Sequence, residues 1–183
     1  MSKKILVLTG SARKDGNSNR MAHAFAEAAE AKGHEVKVID TANLKLNFCH
    51  ACGTCYKTGK PCSFDDDFNT IADDILAADA LVFSRPVYWY SVSSQIMAVI
   101  DKMFSFVIGG KEDQFSGKEC ALICCCDEED PAILDGVRVP FERTAALNKW
   151  MVTGEVLVPG VFNVGDVDKT DGIAQASALA DKF

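Results

Sequence analysis

An α/β domain built on a parallel sheet is the fold class this sequence predicts, and three observations carry it. Five short apolar runs alternate with stretches whose apolar residues recur at helical spacing. The first run, Ile5-Leu6-Val7-Leu8, is continuous, as suits a strand buried on both faces of its sheet. It is followed at once by a polar, glycine-bearing loop and then by a helix-forming stretch. Five such β-then-α units imply a sheet covered by helices on both sides. The 183 residues suffice for one well-buried domain, 1–183, and are short for two.

Gly10 ends the first strand. Asn17 or Ser18 is expected to cap the first helix, in which Met21, Phe25 and Ala28 or Ala29 form the apolar stripe and Gly33 the stop. Glu35 to Asp40 alternates as a second strand. Asn47 to Asp67 reads as a cysteine-bearing loop. Asp66 or Asp67 can then cap a second helix that turns Phe68, Ile71, Ile75 and Leu76 inward. Ala80 to Phe83 is the third strand and Ser84 to Tyr90 a loop. Ile96, Ile100, Met103, Phe104 and Val107 mark the inner stripe of a third helix, and Gly109 to Gly117 a loop. Cys120 to Cys125 is the fourth strand, where alternation sends Cys125 to the face opposite Cys124 and Cys126. A helical stretch follows Pro131, and Pro140 is expected to break or restart it. Glu155 to Val158 is the fifth strand. Ile173, Ala176, Ala180 and Phe183 define the last helix.

The net charge of −7 argues against a nucleic-acid or anionic-membrane partner. No apolar run approaches a membrane span, and the one after Lys3-Lys4 is too short for a signal peptide, so a cytoplasmic protein is expected. In that setting eight cysteines read as thiols, metal ligands or redox groups before they read as disulfides.

Strand, polar loop and helix together make an anion site, because free amide N–H groups and the positive end of the helix dipole point into the loop. Many first βα turns share that outline and bind nothing. Here, however, Ser11, Asn17 and Ser18 supply neutral donors, Arg13 a charge, and Gly16 room for close backbone approach. No Gly-Lys-Ser/Thr follows, as ATP or GTP binding needs, and no G-x-G-x-x-G opens the helix. A loop rich in hydroxyls and amides suits a terminal phosphate monoester.

Two further stretches carry chemistry. Tyr88-Trp89-Tyr90, beside Pro86 and Val87, cannot turn all its rings into one core, so at least one is free for a ligand or partner. Cys49, Cys52, Cys55 and Cys62 stand as C-x2-C-x2-C-x6-C, a pattern open to a [4Fe–4S] cluster, to zinc, or to no metal at all. His23, His34 and His50 are scattered and suggest no triad. Asp65-Asp66-Asp67 reads as a helix start.

Gly10-Ser11-Ala12-Arg13 with Gly16-Asn17-Ser18 resembles the phosphate loop of flavodoxin-like FMN reductases, in the NAD(P)H-dependent branch that includes the iron–sulfur flavoproteins. Pro86-Val87-Tyr88-Trp89 with Ile100-Asp101-Lys102 resembles that branch's flavin-ring loop and following helix. The resemblance runs from about Lys3 to the C-terminus. It implies a flavodoxin-like three-layer αβα sandwich with strand order 2-1-3-4-5, and a ligand at the carboxyl ends of the strands near the switch point. It implies FMN as cofactor and NAD(P)H as co-substrate, with the phosphate on Ser11, Arg13, Gly16, Asn17 and Ser18. The flavin ring then falls to Pro86, Val87, Tyr88 and Trp89, with Cys126 and Asp127 as a third bordering loop.

The resemblance further implies hydride transfer from nicotinamide to flavin and on to a quinone, azo, nitro or flavin acceptor, with no protein side chain as acid or base. Iron–sulfur relatives carry a compact four-cysteine motif, which leaves an electron carrier with a [4Fe–4S] cluster as the alternative. The longer gap to Cys62 and the insert Thr58-Gly59-Lys60-Pro61 look more like cluster-free relatives, so no metal is expected. A homodimer is expected too, since relatives wall the flavin with a second subunit. Met103, Phe104, Phe106 and Val107 look too broadly apolar for one buried face. That places Phe106 at or near the interface, with Trp89 or Tyr90 close to the partner; the alternative packs this segment on the Phe115 loop of its own chain.

Overall fold

The structure is a computed structural model describing residues 1–183. In chain order its elements are β1 (Lys4–Thr9), α1 (Asn17–Ala31), β2 (Glu35–Asp40), α2 (Phe68–Ala77), β3 (Ala80–Tyr88) and β4 (Ser91–Val92). There follow α3 (Ser94–Lys102), α4 (Phe104–Ile108), α5 (Glu112–Phe115), β5 (Glu119–Cys125), α6 (Asp135–Leu147), β6 (Met151–Val158) and α7 (Gly172–Leu179). The sheet runs β2-β1-β3-β5-β6, all neighbours parallel, with the two-residue β4 folded back antiparallel on β3. Setting that hairpin strand aside, this is the expected order 2-1-3-4-5.

Alternation within each strand feeds two cores. Ile5, Val7, Val82 and Ile123 face one side and pack on Met21 and Phe25 of α1 and Ala176 and Leu179 of α7. Leu6, Leu8, Phe83 and Leu122 face the other, against Phe68, Ile96, Phe106, Phe141 and Trp150. Each such side chain taken from water contributes about 1.5–3 kcal/mol, so the three layers are held chiefly by these two apolar contacts. As alternation predicts, Cys125 joins the first core while Cys124 and Cys126 join the second.

Several boundaries differ from the sequence reading, each for a physical reason. α1 begins one residue after Gly16, which holds the cap position with no side-chain cap bond, so Asn17 and Ser18 lie in the first turn instead of capping it. At α2, the cap position is Asp67, but the carboxylate that takes a helix N–H is that of Asp66, from Phe68 at 3.2 Å. β3 continues to Tyr88. Pro86 is tolerated there because pairing with β1 stops at Ser84, so its missing N–H falls beyond the end of that neighbour.

The expected third helix is broken at Met103 into α3 and α4. The break rotates the stripe: Phe104 and Val107 turn outward, while Ser105 and Phe106 turn in. Phe106 is 0 % exposed and packs on Phe68 and Phe115, with ring centroids 5.9 and 4.9 Å away. The expectation that it lies at a subunit interface is therefore incorrect, and the packing against the chain's own Phe115 segment holds. That segment is the short helix α5, not a plain loop, tied down by Trp150 Nε1 donating to the Phe115 carbonyl at 2.6 Å. α6 runs unbroken through Pro140, which forfeits only one helix hydrogen bond, the one its missing N–H would give Gly136.

Candidate functional site

The carboxyl ends of β1, β3, β5 and β6 open on a cleft of about 540 Å³. Ser11, Arg13, Gly16, Asn17, Ser18, Pro86, Val87, Tyr88, Trp89, Cys126 and Asp127 all line it, so three stretches singled out separately in the sequence meet at one place. Tyr90, Cys125, Glu128, Ile133, Val161 and Phe162 complete the wall.

The loop after β1 is a rigid turn. Gly16 N–H donates to the Arg13 carbonyl at 2.9 Å, Arg13 N–H to Ser11 Oγ at 3.1 Å, and Asn19 Nδ2 to the carbonyls of Arg13 and Lys14 at 3.2 Å each. Gly16 has an ordinary extended φ of −62°, and space is what requires it. A Cβ there would stand 2.7 Å from Ser11 Oγ, so the close approach it permits is to its own loop. Backbone bonding into α1 begins at Arg20 N–H, donated to Gly16 at 3.0 Å, which leaves the first-turn N–H groups without a helix acceptor. The Ser18 hydroxyl is buried beside the Cys125 thiol and makes no hydrogen bond to a nitrogen or oxygen. An uncapped fifteen-residue helix and a hydroxyl at its first turn with no nitrogen or oxygen partner are donors awaiting an anion.

Three side chains of this loop are already engaged, Ser11 among them, its hydroxyl donating to the Arg13 carbonyl at 3.3 Å. Asn17 Nδ2 donates to the Asn163 carbonyl at 3.0 Å, and its Oδ1 accepts from Gly165 and Val167 N–H at 3.1 and 3.3 Å. Its amide therefore ties the segment after β6 to the cleft, with one of its two Nδ2 hydrogens engaged. Arg13 Nη1 donates to the Phe162 carbonyl at 2.9 Å, its guanidinium 5.5 Å from the Phe162 ring centre. The segment around Phe162 was not marked in the sequence, since nothing local distinguishes it.

At the other end, Trp89 and Tyr90 form the two-residue turn between β3 and β4, with φ of 49° and 58°. Left-handed backbone at two successive residues is the turn that two-residue hairpins prefer, and without Gly or Asn it costs roughly 1–2 kcal/mol per residue. The turn leaves Trp89 94 % exposed. Tyr90 Oη donates to Glu128 at 2.8 Å, which pins the turn to the loop after β5 and raises the phenol's pKa. Burial pushes the Cys125 thiol up to about 12, so this part of the floor is neutral. The site offers donors at one end, an apolar wall at the other, and fixed loops between. These are the features needed by a planar ring carrying a terminal phosphate.

The four clustered cysteines lie elsewhere. Cys49 and Cys52 are exposed, Cys55 half-buried and Cys62 buried. All four line one small cavity together with Lys102. No three metal-ligating side chains converge there or anywhere else. Lys102 Nζ pairs with Asp66 at 2.5 Å in full burial and donates to Cys62 Sγ at 3.5 Å. His50 lies between the rings of Phe48 and Phe64, and His34 Nδ1 accepts from Lys3 N–H. No helix is long and apolar enough to cross a membrane.

The model of a family described as NADPH-dependent FMN reductase matches residues 3–130. An iron–sulfur flavoprotein of Archaeoglobus fulgidus is 28% identical over 190 residues, covering 98% of this chain and 80% of its own. An iron–sulfur flavoprotein of Methanocaldococcus jannaschii is 31% identical over 106 residues, 58% of this chain and 54% of its own, so the match spans about half of that relative. Among solved structures, the NAD(P)H:quinone oxidoreductase of Methanothermobacter marburgensis shares the fold at a TM-score of 0.75 and 16% identity, over 98% of this chain and 95% of its own.

Proposed function

The chain belongs to the NADPH-dependent FMN reductase family, and we propose that it works as an FMN-dependent oxidoreductase, a single domain that passes reducing equivalents from NAD(P)H to a small aromatic acceptor. FMN and NAD(P)H are the cofactor and co-substrate that family membership brings. The observation that carries the site assignment is the meeting of the donor-rich loop, the aromatic turn and Cys126-Asp127 around one cleft, with the Ser18 hydroxyl at its base making no hydrogen bond to a nitrogen or oxygen.

When bound, FMN supplies the hydride chemistry, accepting from the nicotinamide and delivering to the acceptor. The chain's own residues bind and orient. Ser11, Ser18 and the first-turn N–H groups of α1 hold the phosphate, with Arg13 and Gly16 completing the loop and Asn17 fixing its outer wall. Pro86, Val87 and Tyr88 support the ring, and Trp89 offers a stacking face to whichever aromatic partner enters. Cys126 and Asp127 border the ring's far edge. A quinone, azo, nitro or free flavin acceptor suits that apolar wall, in a cytoplasmic homodimer whose second copy covers the exposed Trp89, Phe104 and Val107.

A second reading, an electron carrier with a [4Fe–4S] cluster on Cys49, Cys52, Cys55 and Cys62, is favoured by the single small cavity those thiols share and by the names of the relatives. One preparation separates the two. Protein purified without oxygen is assayed for NADPH oxidation with a quinone and an azo dye, and its iron and sulfide are counted. Turnover without stoichiometric iron supports the first reading; about four irons per chain, lost together in Cys62→Ser, supports the second.

A further inference from the structure

Arg85 is a cation in the protein core with no counter-charge. It lies on β3 one residue before Pro86, is 2 % exposed, and is the largest of the fully buried side chains. Its guanidinium has five N–H donors. Nη2 donates to the Val137 carbonyl at 3.0 Å, while Nε is buried with no partner. No carboxylate pairs with it among the ion pairs of the molecule. Burial lowers its pKa only to about 10, so it remains charged at neutral pH. Cys124, opposite it in the β3–β5 register, cannot answer that charge as a thiolate, because burial holds its thiol well above the ordinary value.

An unpaired buried charge is among the costliest arrangements a fold can hold, and it calls for a partner. A separate observation shows where that partner fits. Arg85 lines a cavity of about 30 Å³ at α3 and α6, whose other walls are Phe83, Met97, Ile100, Phe141 and Trp150 among other apolar side chains. Thr144 is its one further polar wall residue, and no acidic side chain lines it. That volume is room for one or two water-sized particles and is small for phosphate or sulfate. With a cation as its one charged wall group, the cavity suits a small monoatomic anion.

We propose that this cavity is a halide site, occupied by chloride as the counter-ion of Arg85. It is separate from the cofactor cleft, and it stands whether or not the flavin assignment does. The anion accepts from the free guanidinium N–H groups and completes the polar pairing behind the aromatic turn.

The test uses the folded protein as purified and two measurements. Crystals grown with bromide in place of chloride are expected to show an anomalous peak within hydrogen-bond reach of the Arg85 guanidinium. In solution, the thermal midpoint is expected to rise and saturate with sodium chloride but not with sodium gluconate at matched ionic strength, since only the small ion binds the folded state. Arg85→Met should abolish that difference and Arg85→Lys should keep part of it. Should Arg85→Met not fold, the wild-type comparison decides alone. A cavity holding water only, with equal midpoints in the two salts, overturns the proposal.

Discussion

Gly136, in the first turn of α6, lies against the carbonyl oxygen of Tyr90 so closely that a β-carbon there would stand 1.8 Å from it. The two residues are far apart in sequence, and their contact sets where the strained Trp89-Tyr90 turn rests on the molecule. Gly136→Ala must move either the helix or the turn, an overpacking that typically costs about 1–3 kcal/mol. The expected outcome is FMN affinity lowered by roughly tenfold or more with little change in helix content by circular dichroism. Unchanged affinity would show that the turn is not part of the cofactor wall.

Ser18 and Asn17 are neighbours with different tasks. Ser18→Ala removes a donor that makes no hydrogen bond to a nitrogen or oxygen of the protein, so FMN binding should weaken by about 1–3 kcal/mol with the thermal midpoint of the cofactor-free protein nearly unchanged. Asn17→Ala removes three hydrogen bonds to the segment after β6 and should lower that midpoint first. Equal effects of both variants on the cofactor-free midpoint would contradict this division.

How much of this was legible in the sequence depended on distance along the chain. The phosphate loop could be read because its strand, donors and helix are contiguous, and the aromatic turn because three rings in a row cannot all enter one core. Arg13 on Phe162 and Asn17 on Asn163 could not, since 149 and 146 residues separate the partners and neither carries a local pattern. The buried pair of Asp66 and Lys102 was hidden for the same reason. Phe106 was misplaced because helical periodicity was carried through Met103, where one irregular residue rotates everything after it. Pro140 looked like a break because sequence alone does not show that a single lost bond is tolerable there.

The cysteines divide sharply by environment. The Thr54 hydroxyl, 3.0 Å from Cys52 Sγ, lowers that exposed thiol's pKa. Burial pushes Cys120 and Cys125 up to about 12 and holds Cys124 well above its ordinary value. Brief alkylation of the native protein near neutral pH, read by peptide mass spectrometry, should label Cys52 well before those three. If the cluster reading holds instead, Cys52 is protected until iron is chelated. Labelling of Cys125 as fast as Cys52 would contradict the burial described for the cleft floor.

Asp166 makes the segment after β6 sensitive to acid. Lys169 at 2.9 Å, and then the Asn163 N–H at 2.7 Å, hold its carboxyl at about 2, below the ordinary value near 4. A carboxylate depressed on folding stabilises fully above its unfolded pKa, and that contribution is lost as pH falls from about 4 through 2. Thermal midpoints measured across that window should fall more steeply for the wild type than for Asp166→Asn. Parallel curves would remove Asp166 as the acid-sensitive link.

The central claim is that the cleft holds FMN with its phosphate at the start of α1, and titration of cofactor-free protein with FMN, riboflavin and FAD tests it most directly. The account predicts one FMN per chain and riboflavin weaker by a hundredfold or so, the worth of roughly two charge-assisted hydrogen bonds. FAD should bind poorly, because its phosphate is not terminal. In Ser18→Ala the gap between FMN and riboflavin should narrow. Riboflavin bound as tightly as FMN, or a gap that Ser18→Ala leaves intact, would contradict the placement of the phosphate and with it the assignment of the cleft.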